Sequence, residues 1–215
     1  MLSVHSNTKQ LTAHLNRIQR KQIPFATAKA LTQTAFDVKR TLQNALPRRL
    51  DRPTGNPATG KGGIIGSVQV DKATKYNVTA RVGFAGLGFG KTAWKESPAK
   101  IMRRHIKGGT RYPNKRAIAV PVKQRTNKYG NLPRNKISTL LANTTKYFSG
   151  TPKGMSNAGI YERQKKKLKM LVAWEPKATY QGGRFPFKGI VKLSVAKNYR
   201  KRFEKALQNA LDTAR

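Results

Sequence analysis

The sequence contains no cysteine. That absence excludes disulfides, thiolate metal sites and cysteine nucleophiles. Acidic residues are also scarce: aspartate and glutamate total eight against 45 lysines and arginines, giving a net charge of +37. Nucleases gather several carboxylates around magnesium, and glycoside hydrolases need a carboxylate pair. Eight scattered acids argue against both. The three histidines, His5, His14 and His105, have no acid or second histidine at a metal-ligand spacing, so no metal site and no cofactor are expected. No Ser-His-Asp signature is visible either, and the chain is read as non-enzymatic. There is no run of about 18 apolar residues, so no spanning helix and no membrane partner are expected. The first residues, MLSVHSNTKQLTAHL, lack the apolar core of a signal peptide. The expectation is a chain made in a cytoplasm that stays soluble or joins an assembly.

What is abundant is positive charge. An excess of this size draws a protein to polyanions, either nucleic acid or an acidic protein surface. A merely solvated basic surface is the plainer reading. It is disfavoured because self-repulsion destabilises an unpartnered fold. The basic clusters are Arg48-Arg49; Arg103, Arg104 and Lys107 around His105; Lys115-Arg116; Lys165, Lys166 and Lys167 with Lys169; and Arg200, Lys201 and Arg202. Tyr112, Tyr129, Tyr147, Phe148, Tyr161 and Tyr199 interleave them, a composition suited to phosphate contact with some stacking. No short signature of a sequence-reading nucleic-acid module is present, which favours backbone attraction or protein contact over base readout. Arg103, Arg104, Lys107, Lys165, Lys166, Lys167, Lys169, Arg200, Lys201 and Arg202 are the candidate polyanion- or partner-binding residues.

One motif points elsewhere. Residues 85–92, AGLGFGKT, fit the loosest form of a phosphate-binding P-loop. A working P-loop needs a helix beginning at its Lys-Thr and an acidic residue for magnesium. Here Pro98 follows closely, and Glu175, at the end of MLVAW, is the one downstream candidate. The octet therefore reads as a glycine-rich loop after a strand, displaying Leu87 and Phe89.

Periodicity supplies the elements. Leu11, Leu15 and Ile18 share a helical face. From Pro24, the residues Phe25, Ala28, Leu31, Ala35, Val38, Leu42 and Ala45 recur every three or four positions. This predicts an amphipathic helix of about 34 Å, stopped by Pro47 and resting on a sheet or a partner. Residues 47–63 are Pro- and Gly-rich and read as an arm or loop. Strands are predicted at 64–70, 78–84, 117–122, 168–174 and 190–195, with Pro121 marking an edge. The 123–167 stretch reads as a long basic insertion with little core, apart from one short helix at Ile137, Leu140 and Leu141. A final helix carries Tyr199, Phe203, Leu207, Ala210 and Leu211. The expected architecture is a single α+β domain over 1–215. In it, a mostly antiparallel sheet is packed by a long N-terminal helix and a C-terminal helix, with the basic loop insertion.

Three segments, IPFATAKALTQTAFDVKRTLQNAL, TGKGGIIGSVQV and FPFKGIVKLSVAKNYRKRFEKALQNAL, follow one another in an order that resembles a known group. It is the tailed-phage neck proteins of the tail-completion and minor tail protein Z kind. TGKGGIIGSVQV is similar to that group's TG-x-L-x-x-S-I segment. The chain departs from the group in its 123–167 insertion and in the glycines before Ser67. The resemblance implies a virion structural protein: a homo-oligomeric ring, by implication a hexamer, that joins the head connector to the tail-terminator and tail-tube proteins. It further implies nonspecific contact with packaged DNA and residence in the host cytoplasm during assembly. The competing class is a sequence-nonspecific nucleic-acid-binding protein.

Overall fold

The structure is a computed structural model, which describes residues 12–13, 16, 18–56, 58–86, 88, 96–114, 116–165 and 167–213. The fold is α+β, and every described strand pair is antiparallel. The strands do not join into the one central sheet expected. Among the described residues they form a two-stranded, a second two-stranded and a four-stranded sheet. The chain divides into two compact units, one of residues 1–49, 55–102 and 185–215, the other of residues 50–54 and 103–184.

The first unit is organised by two long helices, α1 (Ile23–Arg49) and α5 (Phe187–Asp212). A π-helical turn, Ile18–Gln22, leads directly into α1. Ala26 and Ala30 of α1 meet Ala206 and Ala210 of α5, all four buried. Small side chains four residues apart on both helices let the backbones approach, while Tyr199, Phe203 and Leu207 seal the seam. Further along, Arg202 donates two hydrogen bonds to Asp37, at 2.8 and 3.0 Å. Thr41 Oγ1 then lies 3.2 Å from Ser194 Oγ. The pairing of low with high numbers makes the helices antiparallel.

The first sheet pairs β1 (Val68–Asp71) with β2 (Arg81–Phe84) and packs against α1. Val38, Leu42 and Leu46 are essentially fully buried, as are Ile65 and Val68. Burying such side chains contributes roughly 1.5–3 kcal/mol each. Phe84 packs edge-on to Phe185 and tilted against Phe187, at 6.2 and 6.0 Å between centroids. The α1 stripe thus rests on a sheet, as expected, and α1 also packs extensively along α5.

Other corrections follow from local chemistry. Phe25 is half exposed, because the alanine seam uses Ala26 and Ala30 instead. Pro47 does not stop α1 at once; the helix runs on to Arg49. Pro47 cannot donate to the carbonyl four residues back, and the helix ends two residues later. The 64–70 strand is shortened to Val68–Asp71, preceded by a single turn, α2 (Gly63–Gly66). The 47–63 arm is partly folded: Asn56 and Lys61 form an antiparallel bridge, and buried Gln43 donates to the carbonyls of Gly60 and Ile65. Residues 190–195 are helical, not a strand. A strand there would need a neighbour, whereas the strongly helix-forming segment that follows extends backward cooperatively to Pro186. Leu11 and Leu15 lie outside the described residues.

The second unit gives 123–167 more of a core than the little expected of an insertion. It holds the sheet order β4 (Ile118–Pro121), β7 (Lys167–Glu175), β6 (Gly159–Gln164) and β5 (Tyr147–Gly150). Two of those strands and α4 (Lys136–Ala142) come from the supposed insertion. Leu140, Ile160, Leu171 and Val172 form its buried core, with Ile137, Tyr147 and Trp174 packed around it. Pro121 does lie on an edge strand, as its missing N–H requires. Gly159 has no room for a side chain, since a Cβ there would overlap the Val172 carbonyl oxygen. A smaller sheet pairs β3 (Gly109–Arg111) with β8 (Ala178–Tyr180), just after α3 (Pro98–Lys107) ends.

Candidate polyanion and partner interface

The three main basic clusters of the sequence look alike as strings, but the backbone treats them differently. Arg200, Lys201 and Arg202 are consecutive on α5, and successive helical residues point about 100° apart. Arg202 turns to Asp37, whose hydrogen bonds hold the guanidinium above its ordinary pKa. Arg200 pairs with Glu204 one turn on, at 2.8 Å. Lys201 is exposed. This string therefore does not form a patch, and Arg202 serves the helix seam.

Lys165, Lys167 and Lys169 sit where β6 turns into β7, and the hairpin keeps them together. Residues two apart on a strand share a face, so Lys167 and Lys169 point the same way. Lys123 joins them around a shallow groove that also includes Gln164, Leu168 and Met170. The one local acid, Glu162, stands opposite Lys169 in the ladder and accepts an ion pair from Lys146 at 3.2 Å. Lys166 lies outside the described residues, as does Lys115. Lys123 and Lys146 belong to none of the clusters seen in the sequence, because only strand register brings them near.

Arg103, Arg104 and Lys107 occupy the last turns of α3, where cations complement the helix dipole. Arg103 and Lys107 are exposed, while Arg104 is half-buried. Beside them His105 packs edge-on against Tyr180 at 5.3 Å, and its Nδ1 is buried without a hydrogen bond. Burial, then the Arg184 and Arg104 charges, push its pKa below the ordinary histidine value.

Most of the interleaved aromatics are used internally. Tyr161 is buried, with Phe148 stacked on it and Arg163 over Phe148 at 4.5 Å. Tyr199 stacks on Phe203, and Tyr147 packs on the sheet core. Tyr112 is exposed. So is Tyr76, which stands apart from the basic clusters in sequence; Lys75 lies over its ring.

A further basic surface lies between the helices of the first unit. A cleft of about 620 Å³ is lined by Arg40, Arg48 and Arg49 of α1 and Lys197 of α5. Only Arg48 and Arg49 stand out as a cluster in the sequence. The four-residue spacing of Arg40, Asn44 and Arg48 was the signal that could have revealed the rest.

Of AGLGFGKT, Leu87 and the residues from Phe89 to Thr92 lie outside the described residues. Gly86 and Gly88 both adopt positive φ, at 91° and 93°. Among the described residues no group of three or more histidines and acids could hold a metal ion, and no helix is long and apolar enough to cross a membrane. No family model, curated protein or solved structure matches the chain.

Proposed function

We propose that this protein is a structural subunit of a tailed-phage virion, acting in tail completion and head–tail joining. It would assemble as a homo-oligomeric ring between the connector and the tail. The observation that carries the reading is the combination of a long helix pair with a lysine-bearing hairpin. The pair is tied by an alanine seam and a bidentate Arg202–Asp37 bridge, which makes a rigid body. The hairpin groups Lys167 and Lys169 with Lys123 and carries Lys165 at its turn, a basic surface suited to an acidic neighbour or to packaged DNA. The resemblance of the two helical segments and of TGKGGIIGSVQV to neck proteins supplies the setting. The uniformly antiparallel pairing of the described strands supports the non-enzymatic reading of AGLGFGKT, because a P-loop connects a strand of a parallel βαβ unit to its helix.

The test replaces Lys165, Lys166 and Lys167 together with alanine. Two quantities are measured: duplex DNA affinity across a salt series, and the yield of joined particles. The neck reading predicts fewer joined particles, with DNA binding preserved if the hairpin grips a partner protein. A second reading, a sequence-nonspecific nucleic-acid-binding protein, is favoured by exposed Tyr76 beneath Lys75. It predicts instead a shallower salt dependence, by roughly 0.9 in log K per log unit of salt for each phosphate no longer neutralised. Particles unaffected by the triple variant, together with that shallower slope, would reject the neck reading of the hairpin.

A further inference from the structure

We propose that the cleft between the C-terminal half of α1 and the N-terminal half of α5 is a docking groove. Its occupant is an acidic amphipathic helix of a different protein. The inference rests on the groove alone, so its failure leaves the virion reading standing.

The groove has charged and apolar parts in a definite arrangement. Along α1, Arg40, Asn44 and Arg48 stand four residues apart, a rise of about 6 Å per step. Acids spaced four apart on a docked helix present carboxylates at that same interval. Lys197 faces them from α5, and Arg49 adds charge at the end of α1, where the helix dipole also favours cations. The only acid in the lining is Asp37, and it is already engaged by Arg202, with Arg40 at 3.6 Å. Cations thus outnumber acids along the groove.

The apolar part comes from α5. Leu193 is 74% exposed, although it lies within a long helix. With Ile190 and Ala45 it gives the groove an apolar floor and rim. A third helix laid there would cover these side chains and pair its acids with the arginines, the usual helix-in-groove arrangement.

Charge complementarity also says what does not fit. A second copy of this chain cannot supply the acids. No two of its eight acids stand three or four residues apart, so none of its helices carries an acidic stripe. Single-stranded nucleic acid needs aromatic platforms for its bases. None of the residues lining the groove is aromatic.

The experiment uses the full chain and a fluorescein-labelled peptide of about 18 residues. The peptide has glutamate at every fourth position of one face and leucine on the adjoining face. Its binding is read by anisotropy and compared with a glutamine-for-glutamate version and with oligothymidine. Arg48→Glu with Arg49→Glu should weaken the acidic peptide about tenfold or more, and Lys197→Glu should weaken it from the opposite wall. Leu193→Ser should weaken it about threefold, because less apolar surface is then buried. Lys165→Ala with Lys167→Ala should leave it within about twofold. All these positions are exposed, and melting curves matching wild type establish that the variants are folded. Equal binding of the glutamine peptide, or insensitivity to both charge reversals, overturns the proposal. So does a tenfold loss of oligothymidine binding in Arg48→Glu with Arg49→Glu while peptide binding is unchanged, which would make the cleft a phosphate site.

Discussion

The helix pair and the four-stranded sheet carry similar runs of positive charge and dispose of them in opposite ways. On α5, three consecutive cations diverge around the helix, and two find acids: Arg202 with Asp37 and Arg200 with Glu204. On the β6–β7 hairpin, Lys167 and Lys169 share a face and gather Lys123 beside them. A run of basic residues is therefore not a patch until the backbone is known. On a helix, a patch comes from spacings near whole turns, as with Arg40 and Arg48, eight residues apart. On a strand it comes from spacing of two. The difference also separates the runs: on α5 only Arg202 is tied into the helix seam, whereas the hairpin lysines gather on one face.

That contrast can be broken first at the core. Val38→Asp would bury an unpartnered charge at a site that is 1% exposed. It should cost about 3–5 kcal/mol, or prevent folding, as read by chemical denaturation. A cost under about 1 kcal/mol would mean that the α1 face is not the core of the first unit.

The second unit has its own sensitive point. Gly159→Val drives a side chain into the Val172 carbonyl and should cost about 1–3 kcal/mol. If the two units unfold separately, this loss appears in one transition and the Val38→Asp loss in the other.

The helical cations come next. Asp37→Ala removes the acceptor of two charge-assisted hydrogen bonds and leaves Arg202 facing the seam. The expected cost is about 1–2 kcal/mol, at the low end for such bonds because Arg202 is still about a third exposed. Arg200→Ala, which breaks an exposed pair, should leave the melting temperature unchanged. Equal losses in the two variants would erase the distinction between seam and surface.

The smallest expected effect is on pH dependence. The folded state holds His105 below the ordinary value of about 6.5, so it resists protonation more than the unfolded chain does. The unfolded state then binds the extra proton first. Stability is full above about pH 6.5 and falls as pH drops from there toward the lowered folded value. Urea titrations starting about one unit above 6.5 and carried downward should show this fall, and His105→Leu should flatten it. An unchanged slope in the variant would assign the pH dependence to other groups.

Much of this architecture was legible from period and propensity. The apolar run at 168–174 and the three–four spacing from Ala28 to Leu42 gave β7 and α1, because both report burial directly. Ile137, Leu140 and Leu141 gave α4 for the same reason. What was not legible depended on partners distant in sequence. Residues 190–195 are β-branched and apolar enough for a strand, and only continuity with the following helix decides otherwise. The core of 123–167 is invisible locally, because Ile160 is buried by Leu140 and Val172 rather than by its own neighbours. At the candidate interface, the lysine string of the hairpin was readable, but Lys123 arrives through strand register. The α1–α5 groove required knowing which helix lies beside Arg40.

Whether this chain is a built-in part of a tailed particle is best decided by cryo-electron microscopy of purified particles from cells expressing the chain with its neighbouring genes. The expected image is a closed ring of this subunit between connector and tail, with the Lys165–Lys169 hairpin against an acidic neighbour or the DNA. Particles that join normally and lack the chain, or a chain recovered only on bulk nucleic acid, would refute the neck assignment.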